Sequence, residues 1–222
     1  MKWNKKFIYP KSVRSLINGK RHYSIDNRKL PSVTTILSAT QSEEKRQSLA
    51  NWRARLGAGA ANKVMNEAAV RGTSMHTYLE AYIKGKGLGD LEEVWGTEVT
   101  LYYPDLYAGA TDAVGIYNGA ESIIDFKQTN KPKRREWIHD YFTQLAAYAM
   151  AHNQVYDTKI QSGIILMCSK DNLFQKFEVS GKEFQGYKHE FLRKIDQYYK
   201  IVSDSKGCAD TKNDQLDQQN SG

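Results

Sequence analysis

Apolar and small residues dominate the stretch from residue 106 to residue 128, which is interrupted near its middle by the dipeptide Asn118-Gly119. An Asn-Gly pair is a strong signal for a two-residue type I′ turn, so this pattern predicts a β-hairpin. If the loop contains those two residues alone, Tyr117 faces Ala120. This pairing then sets the register of the whole hairpin.

The predicted register opposes two carboxylates. Asp112 faces Asp125, with Cβ atoms about 4.5–5.5 Å apart, and like charges at that distance destabilise a sheet. Side chains alternate along a strand, so Lys127 lies on the same face as Asp125, opposite the small Ala110. One interpretation is that these are ordinary solvated charges, with Lys127 as a salt-bridge partner. Because the surrounding positions are apolar or small, the hairpin looks buried, and we favour a divalent metal ion between the aspartates.

The remaining pattern predicts helices and strands on both sides of the hairpin. Predicted helices cover residues 33–38, 42–56, 60–70, 74–84, 135–152 and 181–202, and further strands cover 21–25, 93–103, 159–168 and 173–179. Gly72 is expected to end one helix, and a glycine-rich loop is expected at 85–89. We therefore expect an α/β fold with a central mixed β-sheet flanked by helices, as one domain over residues 1–202. Residues 203–222 are polar and should be disordered.

The predicted helix over residues 74–84 carries a clear apolar stripe. His76 and Glu80 stand four residues apart on one edge of it, so both point to the same side. Imidazole and carboxylate ligands suit a divalent ion. A single His beside an apolar stripe is more often a hydrogen-bonded core residue, and the metal interpretation gains support only together with Asp112 and Asp125.

Composition narrows the class of protein. The chain has 222 residues and a net charge of +7, and 40% of its residues are hydrophobic. This length suits one domain, and no apolar run approaches the roughly 20 residues that cross a bilayer. We therefore expect no membrane partner. The basic charge suits a polyanionic partner, although it serves solubility as often. Cys168 and Cys208 form no disulfide framework and no Cys-based metal site, so a reducing compartment fits best.

Basic residues occur at several places that would suit a phosphate backbone. Residues 1–25 contain seven Lys or Arg and no acid. The predicted phosphate contacts elsewhere are Arg53, Arg71, Lys131, Lys133, Arg134 and Arg135. A charge run of this kind is usually a solvated loop, but residues 131–135 follow directly after Lys127. The helix after that loop presents Gln144 and Tyr148 one turn apart, where both could donate hydrogen bonds.

Four motifs occur in a familiar order. They are Arg71-Gly72-Thr73 with His76 and Glu80, Gly109-Ala110-Thr111-Asp112, Ile124-Asp125-Phe126-Lys127, and Gln144 with Tyr148. In this order they resemble the RecB-like branch of the PD-(D/E)XK nucleases, over roughly residues 30–200. An isolated D-x-K carries little information, whereas four motifs in family order are specific. The segment Pro31–Leu37 also resembles the mitochondrial genome maintenance exonucleases and small phage exonucleases similar to them.

The resemblance implies a restriction-endonuclease-like core and a set of roles. His76, Asp112 and Asp125, with the Phe126 carbonyl, would hold Mg²⁺ or Mn²⁺. Glu80 would assist, Lys127 would orient or activate water, and Gln144 and Tyr148 would support the site or the DNA strand. Many RecB-like nucleases carry a C-terminal Cys cluster, which is missing here, so no iron–sulfur cluster is expected.

These inferences lead to a specific functional expectation. We expect a Mg²⁺- or Mn²⁺-dependent deoxyribonuclease that acts as an exonuclease on single-stranded DNA, in replication, repair, recombination or phage DNA metabolism. The expected location is the cytoplasm, of a bacterial host if the chain is phage-encoded, rather than the mitochondrion. The alternatives are an endonuclease of the same fold or a non-catalytic DNA-binding subunit. The sequence leaves cleavage polarity, the number of metal ions and the oligomeric state open.

Overall fold

The computed structural model describes residues 1–85 and 89–219, so residues 86–88 of the predicted glycine-rich loop and residues 220–222 of the predicted tail lie outside it. The strands are β1 (Lys2–Trp3), β2 (Val13–Ile17), β3 (Lys20–Ile25), β4 (Arg28–Pro31), β5 (Leu91–Tyr103), β6 (Tyr107–Tyr117), β7 (Ala120–Thr129), β8 (Ser162–Ser169) and β9 (Phe174–Ser180). The helices are α1 (Val33–Ala39), α2 (Glu43–Leu56), α3 (Ala58–Gly85), α4 (His139–Tyr156) and α5 (Gly181–Gln219), with a 3₁₀ turn over Arg135–Ile138.

A six-stranded mixed sheet with the order β1-β5-β6-β7-β8-β9 forms the centre of the molecule. Strands β5, β6 and β7 are antiparallel, β7 and β8 are parallel, and β9 is antiparallel to β8. The long α4 makes the crossover that a parallel pair of strands requires. The α/β fold class with a central mixed sheet is therefore confirmed.

The β6–β7 hairpin has the predicted turn and register. Asn118 and Gly119 both have positive φ angles, 47° and 73°, as a type I′ turn requires. Tyr117 pairs with Ala120, and Val114 pairs with Ile123. The recorded pairs end at Ala113 and Ile124, one position before the two aspartates. Asp112 and Asp125 therefore lie immediately beyond the last paired residues of the hairpin.

Helices cover both faces of the sheet, as the residue alternation within β7 requires. Ile123 packs in a core with Phe142 of α4 and Phe191 of α5, whereas Ile124 packs on the opposite face with Ile83 of α3. Every side chain from Ile123 to Phe126 is buried. This makes β7 an interior strand and explains why its two faces are both apolar around Asp125.

A second, three-stranded antiparallel sheet of β2, β3 and β4 lies beside the central one. The sequence predicts only the strand over 21–25, which β3 confirms. Asp26 and Asn27, both with positive φ angles, form the turn from β3 into β4. Tyr23, Ile25 and Leu30 from this sheet pack on Ala108 of β6. The small sheet is therefore fixed against the hairpin that carries the aspartates.

One predicted boundary is wrong. Residues 58–85 form a single helix, α3, although a break was expected at Gly72. A helical glycine costs only about 1 kcal/mol relative to alanine, which is too little by itself to end a long helix. The Thr73 and Thr77 hydroxyls donate back to the carbonyls four residues earlier, so Thr73 does not cap a new helix. His76 consequently stands on one long, continuous helix.

The C-terminal helix also differs from its predicted extent. Helix α5 runs from Gly181 to Gln219, past residue 202 where a disordered tail was expected to begin. The sequence from 203 to 219 contains no proline, so backbone hydrogen bonds can continue through a polar stretch. The division into a domain at 1–202 and a separate tail stays a prediction. Within the described part of the chain, each helix lacks the length or the apolar character needed to cross a bilayer.

Candidate active site

The candidate catalytic cleft is a cavity of about 460 Å³ between the small sheet, α3, α4 and the open end of the β6–β7 hairpin. It contains six of the eight residues that the sequence predicts to be catalytic or metal-binding. Those that line it are His76, Asp112, Asp125, Lys127, Gln144 and Tyr148. Three separate stretches of the chain therefore bring the predicted motifs to one place.

The two aspartates occupy the floor of this cleft. Asp112 and Asp125 are 7% and 3% exposed. Asp112 Oδ2 accepts a hydrogen bond from the backbone N–H of Phe126, which ties the side chain of one strand to the backbone of the other. Burial raises the pKa of Asp125 to about 6, the Lys127 ammonium opposes that shift, and Asp112 adds to it. A buried carboxylate of this kind favours a neighbouring cation.

Lys127 supplies one positive charge at the same spot. Its Nζ lies 2.5 Å from Asp125 Oδ2, and 5.1 Å from the centre of the Tyr141 ring. Burial alone would lower the pKa of Lys127, but the negative charges of Asp125 and Asp112 outweigh it and raise the pKa. The lysine is therefore held as an ammonium beside the two carboxylates.

His76 closes the cleft from α3. Its Nδ1 lies 3.2 Å from Asp112 Oδ1 and 3.6 Å from Glu98 Oε1. Hydrogen bonds to Asp112 and Glu98 raise the pKa of His76 to about 10, against the effect of burial. The two carboxylates thus attract a positive charge into the space between them, which is also what a metal ion would require.

Glu98 is a site residue that the sequence did not reveal. The pairs Thr97–Ala113 and Val99–Thr111 in the β5–β6 ladder place it opposite Asp112. Its φ angle is 51°, a left-handed conformation that non-glycine residues adopt rarely and that is enriched at functional sites. The predicted strand over 93–103 included Glu98, but two register irregularities earlier in β5 hide its alignment with Asp112.

The donor set fits a hard divalent cation. One ligand atom each from His76, Glu98 and Asp112 lies within 4.8 Å of the other two. Asp125 Oδ2 is buried and accepts no hydrogen bond, despite its closeness to Lys127. Carboxylate oxygens with one imidazole suit Mg²⁺ or Mn²⁺ better than a sulfur-binding metal. The residues therefore fit the predicted cofactor, and the ligand role of the Phe126 carbonyl stays a prediction.

Helix α4 contributes Gln144 and Tyr148 to the cleft. Gln144 Nε2 donates to Tyr148 Oη at 2.8 Å, and both side chains are buried. Burial raises the pKa of Tyr148 well above its usual range, so the phenol stays neutral. Tyr148 packs directly over Gly109, where an added Cβ would lie 2.5 Å from Tyr148 Cε1. The glycine of the second motif thus makes room for the tyrosine of the fourth.

Glu80 lies next to the cleft rather than in it. It lines an adjoining recess of about 620 Å³ together with His76 and Glu98. Its carboxylate forms an ion pair with Lys84, one turn further along α3. The structure therefore brings Glu80 to the same recess as His76, while Glu98 takes the position nearer the aspartates.

The predicted phosphate contacts fall into two groups. Arg53, Arg71 and Arg135 are engaged within the protein: Arg53 donates to Asn62, Arg71 to Asn130, and Arg135 to Glu183 and the Glu178 carbonyl. Among the described residues, no ion pair involves Lys131, Lys133 or Arg134. Arg134 lies over the ring of Trp137, which is 63% exposed. Of the predicted phosphate contacts, Lys131, Lys133 and Arg134 are therefore the ones whose side chains form neither an ion pair nor a hydrogen bond in the described part of the chain, and Lys131 and Arg134 are exposed.

Curated proteins similar in sequence share one name. No protein-family model matches the chain. The human mitochondrial genome maintenance exonuclease 1 is 27% identical, with 64% of this chain and 50% of that protein aligned. The Xenopus tropicalis protein of the same name is 28% identical, with 65% and 50% aligned. The PD-(D/E)XK nuclease resemblance is supported. The chain spans about half the length of the curated relatives it matches.

A solved structure with a similar arrangement is an alkaline exonuclease from Laribacter hongkongensis. It is 12% identical, covers 80% of this chain and 93% of its own, and superimposes with a TM-score of 0.39.

Proposed function

We propose that this protein is a metal-dependent nuclease that hydrolyses phosphodiester bonds in DNA. The observation that carries the proposal is the convergence of Glu98, Asp112 and Asp125 from three neighbouring strands, with His76 and Lys127, on one cleft. The exonuclease name of the relatives supports it. A binding protein would have no need to bury two aspartates and a lysine together at this cost.

Each residue of the cleft has a role in this chemistry. His76, Glu98, Asp112 and Asp125, with the Phe126 carbonyl, would hold Mg²⁺ or Mn²⁺. Bound there, the ion would activate a water molecule and offset the charge that develops on the phosphate. The carboxylates keep this part of the cleft negative, so an unaccompanied phosphate is repelled from it.

Lys127 provides a protonated group beside the proposed metal ligands. The two aspartates hold Nζ protonated, so the ammonium can orient the attacking water or donate a hydrogen bond to a phosphate oxygen. The neutral Tyr148 and Gln144 fix the wall behind it through their mutual hydrogen bond. The position of the Lys127 ammonium is thus set by its ion pair with Asp125 and by its contact with the Tyr141 ring.

The proposed substrate is single-stranded DNA, which is cut from a free end. The exposed side chains of Lys131, Arg134 and Trp137 lie between β7 and α4, where they can contact phosphates and stack on bases. We favour exonuclease action over the endonuclease and non-catalytic alternatives because the relatives are named exonucleases and the set of acidic and basic side chains is complete. The proposed processes are DNA replication, repair, recombination or phage DNA metabolism, in the cytoplasm.

One cleavage assay tests this proposal. End-labelled linear single-stranded and double-stranded DNA, and a covalently closed single-stranded circle, are incubated with Mg²⁺, Mn²⁺ or EDTA. We expect digestion of the linear single strand with either metal ion, none in EDTA, and an intact circle. Rapid nicking of the circle would favour the endonuclease alternative. No cleavage of any DNA with either ion, while DNA is still bound, would favour the non-catalytic alternative.

A further inference from the structure

Two arginines of the small sheet form one wall of the catalytic cleft. Arg14 of β2 pairs with Tyr23 of β3, and Leu16 pairs with Arg21, so the two arginines are diagonal neighbours on one face. Both line the catalytic cleft, and both also line the adjoining recess. Of the residues that line these two cavities, His76 and Glu98 are the other two that line both. These four residues therefore mark the passage between the two cavities.

The charges of these two arginines face the cleft and the recess. Among the described residues, neither Arg14 nor Arg21 forms an ion pair, although Arg28 of the same sheet pairs with Asp105. Both guanidinium-bearing side chains are exposed. A guanidinium next to a cleft, with its donors free, is suited to bidentate binding of a phosphate.

The backbone under these arginines is held rigidly. The Arg21 carbonyl accepts hydrogen bonds from the Ser32 N–H at 3.0 Å and from Thr35 Oγ1 at 2.8 Å, at the start of α1. Tyr23, the partner of Arg14, is buried against Ala108 of β6. The arginine pair is thus anchored to the strand that carries Asp112, so its distance from the metal ligands is fixed by packing.

We propose that Arg14 and Arg21 bind the phosphate group next to the scissile one, where the DNA strand passes from the catalytic cleft into the recess. This rests on the proposed nuclease function. A strand that crosses this passage brings one phosphate to the acidic ligands, which need a metal ion to accept it, and the neighbouring phosphate to the arginines. The arginines would therefore position the strand and set its register, and they are not catalytic residues.

The test uses oligonucleotides in which one phosphate is replaced by an uncharged methylphosphonate, placed in turn at each position near the labelled end. Binding is measured by fluorescence anisotropy with Ca²⁺ in place of Mg²⁺, so that the acidic ligands hold a divalent ion and can accept the scissile phosphate. Gel analysis of the labelled strand after each measurement shows that the DNA was not cut. For the wild-type protein, we expect one position at which the replacement weakens binding by about 10-fold or more, as for loss of a hydrogen bond to a charged group. In Arg14→Gln and Arg21→Gln, a methylphosphonate at this position should no longer weaken binding, since the variant has already lost the contact between the arginine and that phosphate.

Lys29→Gln is the matched control, because it removes one exposed positive charge from β4 of the same sheet without touching either cavity. It should keep the position-specific loss of the wild-type protein. Cleavage in Mg²⁺ by the arginine variants should show a raised KM with little change in kcat. An unchanged methylphosphonate profile in both arginine variants would overturn the inference. A wild-type protein that cuts no DNA would instead overturn the nuclease proposal, while the binding profile would still report on the arginines.

Discussion

Glu98 and Asp112 face each other across the β5–β6 ladder, and His76 Nδ1 lies 3.6 Å from a carboxylate oxygen of the first and 3.2 Å from one of the second. This arrangement gives the metal site a third carboxylate beside the two aspartates of the hairpin. The backbone of Glu98 adopts a left-handed conformation to present it. Such strain persists only where the surrounding structure enforces it, which suits a ligand position.

The first prediction concerns this third carboxylate. Glu98→Gln should weaken Mn²⁺ binding about 10-fold or more, because one charged oxygen ligand becomes a neutral amide. Isothermal titration of the variant with Mn²⁺, without DNA, measures this directly. Glu80→Gln is the comparison, since Glu80 pairs with Lys84 outside the cleft and should matter less. A larger loss in Glu80→Gln than in Glu98→Gln would exchange the roles of the two glutamates.

The second prediction is that Asp125→Asn abolishes metal binding and cleavage while the fold stays at least as stable. The raised pKa of Asp125 shows that burial, together with the charge of Asp112, disfavours its charged form by more than Lys127 favours it. A neutral amide of the same shape removes that cost and the repulsion from Asp112. Thermal melting in EDTA at pH 7 measures stability, and Mn²⁺ titration measures binding. Cleavage at the wild-type rate would remove Asp125 from the site.

The third prediction separates chemistry from binding at Lys127. Lys127→Ala should reduce the cleavage rate by about 100-fold or more, as for loss of one well-placed donor. Affinity for DNA should change little, because one lysine contributes modestly among many phosphate contacts. Single-turnover cleavage and anisotropy binding on the same oligonucleotide provide the two numbers. If affinity fell as far as the rate, Lys127 would be a phosphate contact instead.

The hairpin and its aspartates could be predicted because their determinants are local. Asn118-Gly119 dictates the turn, and a two-residue turn dictates every facing pair up to the aspartates. The continuity of α3 through Gly72 could not be predicted in the same way. A glycine often follows the last turn of a helix, but inside a helix it costs only about 1 kcal/mol relative to alanine, so the same residue is compatible with a helix end and with a continuous helix.

Glu98, Arg14 and Arg21 were missed for a different reason. They reach the site because of how β5 and the small sheet align with the rest of the protein. That alignment involves residues far apart in the sequence, so local patterns do not reveal it. Bulges in β5 shift that register twice before Glu98. Arg14 and Arg21 appeared only as two of seven basic residues in the first 25, since local patterns predict neither β2 nor the pairing of the strand over 21–25 with the rest of the protein.

The fourth prediction tests the contact between two motifs. Gly109→Ala should destabilise the protein by about 1–3 kcal/mol, because the new methyl group would force Tyr148 out of its position. Its hydrogen bond with Gln144 would then be lost, and cleavage should fall as well. Urea denaturation measures the effect. Gly186→Ala in α5 is the control, since nothing lies within 4 Å of its added Cβ and a helical alanine should stabilise the protein. Equal stability of Gly109→Ala and the wild-type protein would show that Tyr148 can move freely.

The last prediction concerns a histidine away from the cleft. His152 is fully buried, with Nε2 at 3.1 Å from Tyr9 Oη and Nδ1 at 2.8 Å from Thr158 Oγ1. The rings of Phe7 and Trp95 also pack against it. Burial lowers the pKa of its imidazole from 6.5 to about 4, and the charge of Lys6 adds to this. The neutral imidazole therefore fastens the N-terminal segment to α4.

This predicts a loss of stability in mild acid. Between about pH 6.5 and 4 the unfolded chain binds a proton on His152 that the folded protein does not, so this contribution is complete above pH 6.5 and lost as the pH falls. The lowered pKa corresponds to about 3 kcal/mol over that range. In His152→Gln, the free energy of unfolding, measured in urea from pH 4 to 7.5, should depend less on pH than in the wild-type protein. His189→Gln, at an exposed position of α5, should keep the wild-type dependence. The same pH dependence in His152→Gln as in the wild type would show that the folded protein protonates His152 as readily as the unfolded chain does.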